Sequence, residues 1–157
     1  MTKNNATKID NLINRANKGN AQAQFELGER YCDGKGVEQD YQKAVEWLTK
    51  ASDQGHAKAM FSLGWCYGKG CGVPKDVNKG FELSKQSAEL GFKDAQYYMG
   101  TLYQYGHSIV PIDIKQAIYW YKLAEKQGDH DAWFELYTIK KEGKNKKGLF
   151  GWLKGKK

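Results

Sequence analysis

Apolar residues recur along the chain with the spacing of one helical face, and glycine or aspartate follows each run. In the first clear instance Ala23, Leu27 and Tyr31 stand four residues apart, which places their side chains on one side of an α-helix. Gly34 follows and can adopt the left-handed conformation in which many helices end. Asp40 stands where the N-cap of a further helix is expected, because its carboxylate can accept a bond from a free backbone N–H. The pattern predicts two short helices joined by a glycine turn.

This two-helix unit is repeated along the chain. The pattern that starts at Ala23 returns 36 residues later and returns again after 36 more, a period typical of stacked helical repeats. The equivalent positions are Ala23, Leu27, Gly28 and Tyr31, then Ala59, Leu63, Gly64 and Tyr67, then Ala95, Met99, Gly100 and Tyr103. A fourth copy begins at Ala132 and loses the pattern after Leu136. We therefore expect an N-terminal capping helix (1–20), three repeats (21–56, 57–92 and 93–129), a C-terminal half repeat (130–143) and a basic tail (144–157).

Two further features recur in every unit. The predicted caps of the second helices are Asp40, Asp76 and Asp113. Glycine also stands inside the first helix of each copy, at Gly28, Gly64 and Gly100, where it costs about 1 kcal/mol relative to alanine. Because that cost is repeated three times, we expect the backbone of a neighbouring helix to approach closely at these glycines.

The motif as a whole resembles the Sel1-like repeat family, whose members are relatives of the tetratricopeptide repeats. The resemblance covers roughly residues 8–143. It implies an all-α fold, a right-handed α-solenoid of helix-pair repeats, that acts as a protein-binding scaffold or adaptor without catalysis of its own. Bacterial members include signalling adaptors, secreted effectors and immunity proteins, so a cytosolic protein that binds and neutralises a toxin is the alternative.

The resemblance also implies where a partner binds, because the first helix of each unit lines the concave surface of such arrays. Three variable positions per first helix share one helical face. They are Glu26, Glu29 and Asp33, then Ser62, Trp65 and Lys69, then Tyr98, Thr101 and Tyr105. We interpret these nine residues as a protein-binding groove with an acidic and an aromatic end, since Trp and Tyr are frequent binding hot spots. The alternative is that Trp65 and Tyr98 only pack against the adjoining repeat.

The net charge of +7 is confined to one end of the sequence. Residues 1–139 are neutral overall, whereas residues 140–157 hold eight lysines and one acid. The basic pI therefore does not indicate a nucleic-acid-binding face on the repeats. The tail also contains the apolar residues Leu149, Phe150, Trp152 and Leu153. Two interpretations stay open: they fold back to cap the last helix, or the tail contacts a membrane or another acidic surface.

Little in the sequence indicates chemistry. His56, His107 and His130 all lie near predicted turns, and no spacing typical of a zinc site, a phosphate loop or a nucleophile with its base is present. We therefore expect no enzyme, no cofactor and no small-molecule substrate, which disfavours the competing class, a hydrolase. The three cysteines are too few for a disulfide framework, and Cys32 and Cys66 occupy different repeat positions. With no apolar run long enough for a leader or a membrane span, the expected location is cytoplasmic.

Overall fold

Helices make up the regular structure of the chain. The computed structural model describes the backbone of residues 3–154 and the side chains of residues 8–143. Over that backbone eight α-helices form and no strand does, apart from an isolated bridge between His107 and Val110. The helices are α1 (Lys3–Asn17), α2 (Ala21–Asp33), α3 (Tyr41–Ser52), α4 (Ala57–Lys69), α5 (Val77–Glu89), α6 (Lys93–Tyr105), α7 (Ile114–Glu125) and α8 (His130–Lys154). The predicted all-α class of helix-pair repeats is confirmed.

The predicted helix ends are confirmed at atomic detail. Asp40 accepts a hydrogen bond from the Lys43 backbone N–H at 3.0 Å at the start of α3, and Asp76 and Asp113 cap α5 and α7 in the same way. Gly34 and Gly70 end α2 and α4 with φ of 70° and 79°. A residue with a β-carbon would be strained there, since positive φ is disfavoured for all but glycine. The sequence thus dictates where each helix begins and ends.

The chain separates into two compact units, Met1–Ala95 and Gln96–Lys157. In the first unit α2 packs on α3, α3 on α4, and α4 on α5. Its core has two parts. The first contains Leu12, Ala16, Ala23 and Leu27, and the second contains Val45, Leu48, Ala51, Ala59, Leu63 and Cys66. The apolar stripes read from the sequence are therefore the buried faces of these helices.

The repeated glycines inside the first helices do mark close approaches, but the neighbouring group differs from repeat to repeat. A β-carbon on Gly64 would lie 2.8 Å from the Gly80 carbonyl oxygen and 2.8 Å from Ser84 Oγ. At Gly28 it would instead meet the Leu48 side chain at 2.8 Å, and at Gly100 the Tyr121 ring at 2.5 Å. The expected backbone contact is confirmed at Gly64. At Gly28 the Ala44 carbonyl oxygen is also close, 3.3 Å from the added β-carbon, but the Leu48 side chain is closer, and at Gly100 the three nearest atoms all belong to the Tyr121 ring.

Glutamine pairs join successive helices within each unit. In the first unit Gln54 Nε2 donates to Gln24 Oε1 at 2.6 Å, and Gln24 Nε2 donates to the Ala16 carbonyl at 3.1 Å. In the second unit Gln127 Nε2 donates to Gln96 Oε1 at 2.8 Å. Since a buried amide without a partner is costly, these pairs fix the register of the helices they join.

The second unit is built around one buried tyrosine. Tyr121 of α7 is fully buried and donates through its hydroxyl to Gln104 Oε1 at 2.6 Å. Gln104 Nε2 in turn donates to Glu135 Oε2 at 2.9 Å. Burial raises the pKa of Tyr121, so its hydroxyl stays a donor. The chain of bonds links α6, α7 and α8.

The last helix extends beyond the bounds of the expected half repeat (130–143). α8 runs from His130 to Lys154, so the half repeat and most of the predicted tail share one helix. Tyr137 occupies the position held by Gly28, Gly64 and Gly100 in the repeats, and its ring stacks on Trp133 with centroids 5.9 Å apart. The side chains at 149, 150, 152 and 153, to which both tail interpretations refer, lie outside the described residues.

Candidate functional site

The C-terminal halves of α2 and α4 form one face of the first unit, and a cavity opens on it. Its volume is about 280 Å³. The lining residues are Glu29, Cys32, Asp33, Tyr41, Phe61, Ser62 and Trp65. Four of the nine predicted binding residues (Glu29, Asp33, Ser62 and Trp65) therefore come together, because α2 and α4 lie side by side. We call this set of seven residues the α2–α4 face.

Trp65 is the most exposed large apolar residue of the α2–α4 face. Its side chain is 48% exposed, and within residues 8–143 it has no hydrogen bond, ring stack or cation contact. The indole therefore leaves about half of its surface to solvent. A side chain with this exposure has apolar area to offer a partner.

The carboxylates around the cavity differ in how they are satisfied. Asp33 forms an ion pair with Lys35, and Glu26 accepts a hydrogen bond from Gln22 at 3.0 Å. Glu29 also lines a second hollow of about 370 Å³, together with Phe25, Glu26, Arg30, Asp33 and Lys35. No described side chain forms a hydrogen bond or an ion pair with the Glu29 carboxylate. Glu29 therefore borders both hollows with a carboxylate that no described side chain pairs with, although its charge is felt by Lys35.

The remaining first-unit residue of the prediction, Lys69, lies at the end of α4 and is exposed. It does not line the cavity. The sequence analysis grouped Lys69 with Trp65 because the two residues are four positions apart. This spacing shows that they lie on the same side of the helix, but it does not show how far the cavity extends along that side.

The three predicted residues of the second unit have different surroundings. Tyr98 is 39% exposed and Tyr105 is 62% exposed. Tyr105 lines a separate cavity of about 510 Å³ with Phe134 and Glu135, and its hydroxyl donates to Glu135 Oε2 at 3.4 Å. The Thr101 hydroxyl is half-buried and donates to the Tyr97 carbonyl at 3.1 Å, so it is already used within α6. A groove that continues from Trp65 to these residues stays a prediction.

Sequence reasoning missed three lining residues of the α2–α4 face (Cys32, Tyr41 and Phe61) and one contact. Tyr41 follows the Asp40 cap directly, and this position brings its ring back to the C-terminal end of α2, where Gln39 donates to its hydroxyl at 3.1 Å. Phe61 belongs to an aromatic position repeated in every first helix, which was a usable signal. The contact is between the sulfurs of Cys32 and Cys66.

Cys32 and Cys66 lie on α2 and α4, and their thiols interact with each other. That interaction and burial raise the pKa of Cys32. All three cysteines are free. Their different repeat positions hid the pair, because residues of adjacent first helices meet across the interface rather than at equal offsets.

His56 has a local structural role. Its Nδ1 accepts the Ala59 backbone N–H at 3.2 Å as the N-cap of α4, and its ring stacks on Phe25 at 4.8 Å. Burial, helped by the charge of Lys58, lowers the pKa of His56. Over the described part of the chain no group of three or more His, Cys, Asp and Glu side chains is placed to hold a metal ion. No helix in that part is both long and apolar enough to cross a bilayer.

Comparison with known families gives three matches within the chain. A family model described as the Sel1 repeat matches residues 21–56, 57–92 and 93–129. The chain belongs to the Sel1 repeat family. Sel1 repeats generally serve as protein-interaction modules and are typically scaffolds rather than enzymes.

Solved structures agree with this assignment. The chain is 37% identical to a Sel1 repeat protein from Oxalobacter formigenes, with a TM-score of 0.73, over 83% of this chain and 98% of that one. It is 34% identical to a protective antigen of uropathogenic Escherichia coli with an SLR fold, with a TM-score of 0.74, over 82% of this chain and 27% of that one. A cysteine-rich protein B of Helicobacter pylori, 22% identical with a TM-score of 0.64 over 83% of this chain and 92% of that one, shares the fold. A search of curated protein sequences finds no match.

Proposed function

We propose that this Sel1 repeat protein binds a protein partner on the α2–α4 face. One observation carries the proposal: a half-exposed tryptophan without a partner in the described residues borders a cavity that also contains carboxylates. Protein interfaces concentrate their binding energy in a few central aromatic residues that fill or flank a pocket. The cavity is also smaller than a typical cofactor site, which favours a side chain of a partner as its occupant.

The test compares two exposed tryptophans of the same chain. Immobilised wild-type protein captures its partner from an extract of the source cells, and Trp65→Ala is expected to lose it. A hot-spot tryptophan contributes about 2 kcal/mol or more, roughly a thirtyfold loss of affinity. Trp133→Ala is the matched control, because Trp133 is 53% exposed but lies in the second unit on α8.

Thermal unfolding of each variant separates binding from folding. Trp65→Ala is expected to lose about as much stability as Trp133→Ala, because the two side chains are 48% and 53% exposed. Loss of binding in both variants, or in neither, contradicts the proposal. An equal loss of stability and binding in Trp65→Ala would instead make Trp65 a packing residue, which is the alternative that the sequence left open.

Three finer parts of the prediction belong to the same proposal. The immunity alternative states that the partner is a toxin, and identification of the captured protein by mass spectrometry tests it directly. The wider groove adds Tyr98 and Tyr105, which the same capture assay tests by single alanine substitutions. The tail 144–157 is expected to act separately, as a contact with acidic surfaces, and its removal should leave capture through Trp65 unchanged.

A further inference from the structure

Four of the nine aromatic rings of the first unit lie under the unit's own lysines. Four ammonium groups lie over rings in this way, at 4.0–5.8 Å from the ring centroids. The pairs are Lys43 with Tyr31, Lys50 with Trp47, Lys58 with Phe92 and Lys79 with Tyr67. Trp65 has no such cation within residues 8–143, although indole is the ring that binds cations best. The ring that offers the strongest cation site is thus left open.

A carboxylate without a hydrogen bond or a close ion pair borders the same cavity. Asp33 is neutralised by Lys35 and Glu26 is held by Gln22, whereas Glu29 has neither kind of partner in the described residues. The lining also contains two further aromatic side chains, Tyr41 and Phe61. A group that fills this cavity favourably must bring a positive charge to Glu29 and a flat or apolar surface to Trp65.

We infer that the α2–α4 face binds an arginine side chain from a basic segment of the partner. The inference rests on the proposed function and adds the chemistry of the occupant. A guanidinium is planar, so it can stack on the indole while its N–H groups donate to a carboxylate in a bidentate pair. A lysine ammonium can satisfy either group but has no flat surface to stack. An acidic segment would be repelled by Glu26, Glu29 and Asp33.

Peptide selection identifies the preferred occupant without knowledge of the partner. A displayed library of random dodecapeptides is selected on the wild-type protein, after depletion on Trp65→Ala to remove peptides that bind elsewhere. The expected result is enrichment of arginine at one fixed position, with apolar residues beside it. Replacement of that arginine by citrulline, its neutral analogue of the same shape, should weaken binding at least about tenfold, and replacement by lysine should weaken it less.

Matched glutamate variants test the role of Glu29. Glu29→Gln should weaken the selected peptide at least about tenfold and flatten its salt dependence, because a charge pair is lost. Glu46→Gln, an exposed change on α3 outside the cavity, should leave affinity and salt dependence unchanged. Both variants should unfold at the wild-type temperature.

The outcomes of the peptide and capture experiments are separable. Two results overturn the inference and leave the proposed function standing. In the first, the selected peptides depend on Trp65 but lack a basic residue. In the second, they bind Glu29→Gln as tightly as they bind the wild type. A library that yields no peptide dependent on Trp65 overturns the inference, and the capture assay with the natural partner then decides the proposed function on its own.

Discussion

The helix pairs α4–α5 and α6–α7 fill the space beside the repeat glycine in different ways. In α4–α5 the position facing the repeat glycine is Ser84, so the α5 backbone itself approaches Gly64. In α6–α7 the equivalent residue is Tyr121, and its ring occupies the space above Gly100. Leu48 holds this position opposite Gly28. The glycine is the same in each repeat, whereas the residue that faces it differs. The facing residue therefore determines whether the nearest neighbour of the glycine is backbone or a side chain.

The largest expected effect comes from a substitution at Gly64, where the backbone of α5 approaches α4. Gly64→Val should destabilise the protein by about 3 kcal/mol or more, since forcing a side chain into a filled space exceeds the usual cost of overpacking when the neighbour is backbone. The Gly80 carbonyl, 2.8 Å from the added β-carbon, cannot move without moving α5. Denaturant unfolding followed by circular dichroism measures the change.

Gly68 provides the control for this substitution. It lies in the same helix, and a β-carbon there would have no neighbour within 4 Å. Gly68→Ala should therefore stabilise the protein slightly, by up to about 1 kcal/mol, through helix propensity. A Gly64→Val variant that melts like the wild type would remove the packing role assigned to the repeat glycines.

The second-largest expected effect concerns α6–α7, the helix pair in which the Tyr121 ring lies above Gly100. Tyr121→Phe keeps the ring above Gly100 but leaves Gln104 Oε1 without its 2.6 Å donor. The expected cost is about 1–2 kcal/mol, the usual penalty for a buried acceptor that loses its partner. Tyr119→Phe, an exposed neighbour on the same helix, should change the unfolding free energy by less than about 0.5 kcal/mol. Equal effects of the two changes would show that the hydroxyl network adds nothing to the second unit.

The smallest expected effect distinguishes the N-cap residues of two first helices by their response to pH. α2 is capped by Asn20 and α4 by His56, each through a side-chain acceptor. Because the pKa of His56 is lowered in the folded protein from its ordinary 6.5, the neutral ring is favoured on folding. Its contribution is complete above the unfolded pKa and is lost as the pH falls through the folded one.

His56→Asn supplies a cap that does not titrate. Relative to this variant, the wild type should lose up to about 1 kcal/mol of unfolding free energy between about pH 7 and pH 5. Urea unfolding at a series of pH values measures the difference. Parallel pH profiles for the two proteins would show that His56 does not cap α4 through its neutral nitrogen.

Most of the fold was predictable because its signals are local. Helix ends at Gly34 and Asp40 depend on conformations and hydrogen bonds within a few residues, and the repeat multiplies each signal. The grouping of Glu29 with Trp65 also followed from helical spacing. What the sequence could not supply was the partner of each position across an interface: Tyr121 above Gly100, Tyr41 beside α2, and Cys66 against Cys32.

The course of α8 shows a second limit. Gly143 and the glycines after it each lower helix propensity by about 1 kcal/mol, which favoured a break before Lys154. The helix nevertheless continues. Propensity is a weak bias that neighbouring turns of an existing helix can outweigh, since extension of a helix costs less than its nucleation.

Tyr137 has a consequence for how an array of this kind can grow. Duplication of one unit adds a functional repeat only if the helix at the junction can receive a new neighbour. With a tyrosine in the glycine position, stacked on Trp133, α8 leaves no space for a partner helix at that distance. A helix that approached this face of α8 would therefore have to stand further away than α5 stands from Gly64, and Tyr137→Gly is the change that would make room for the closer approach.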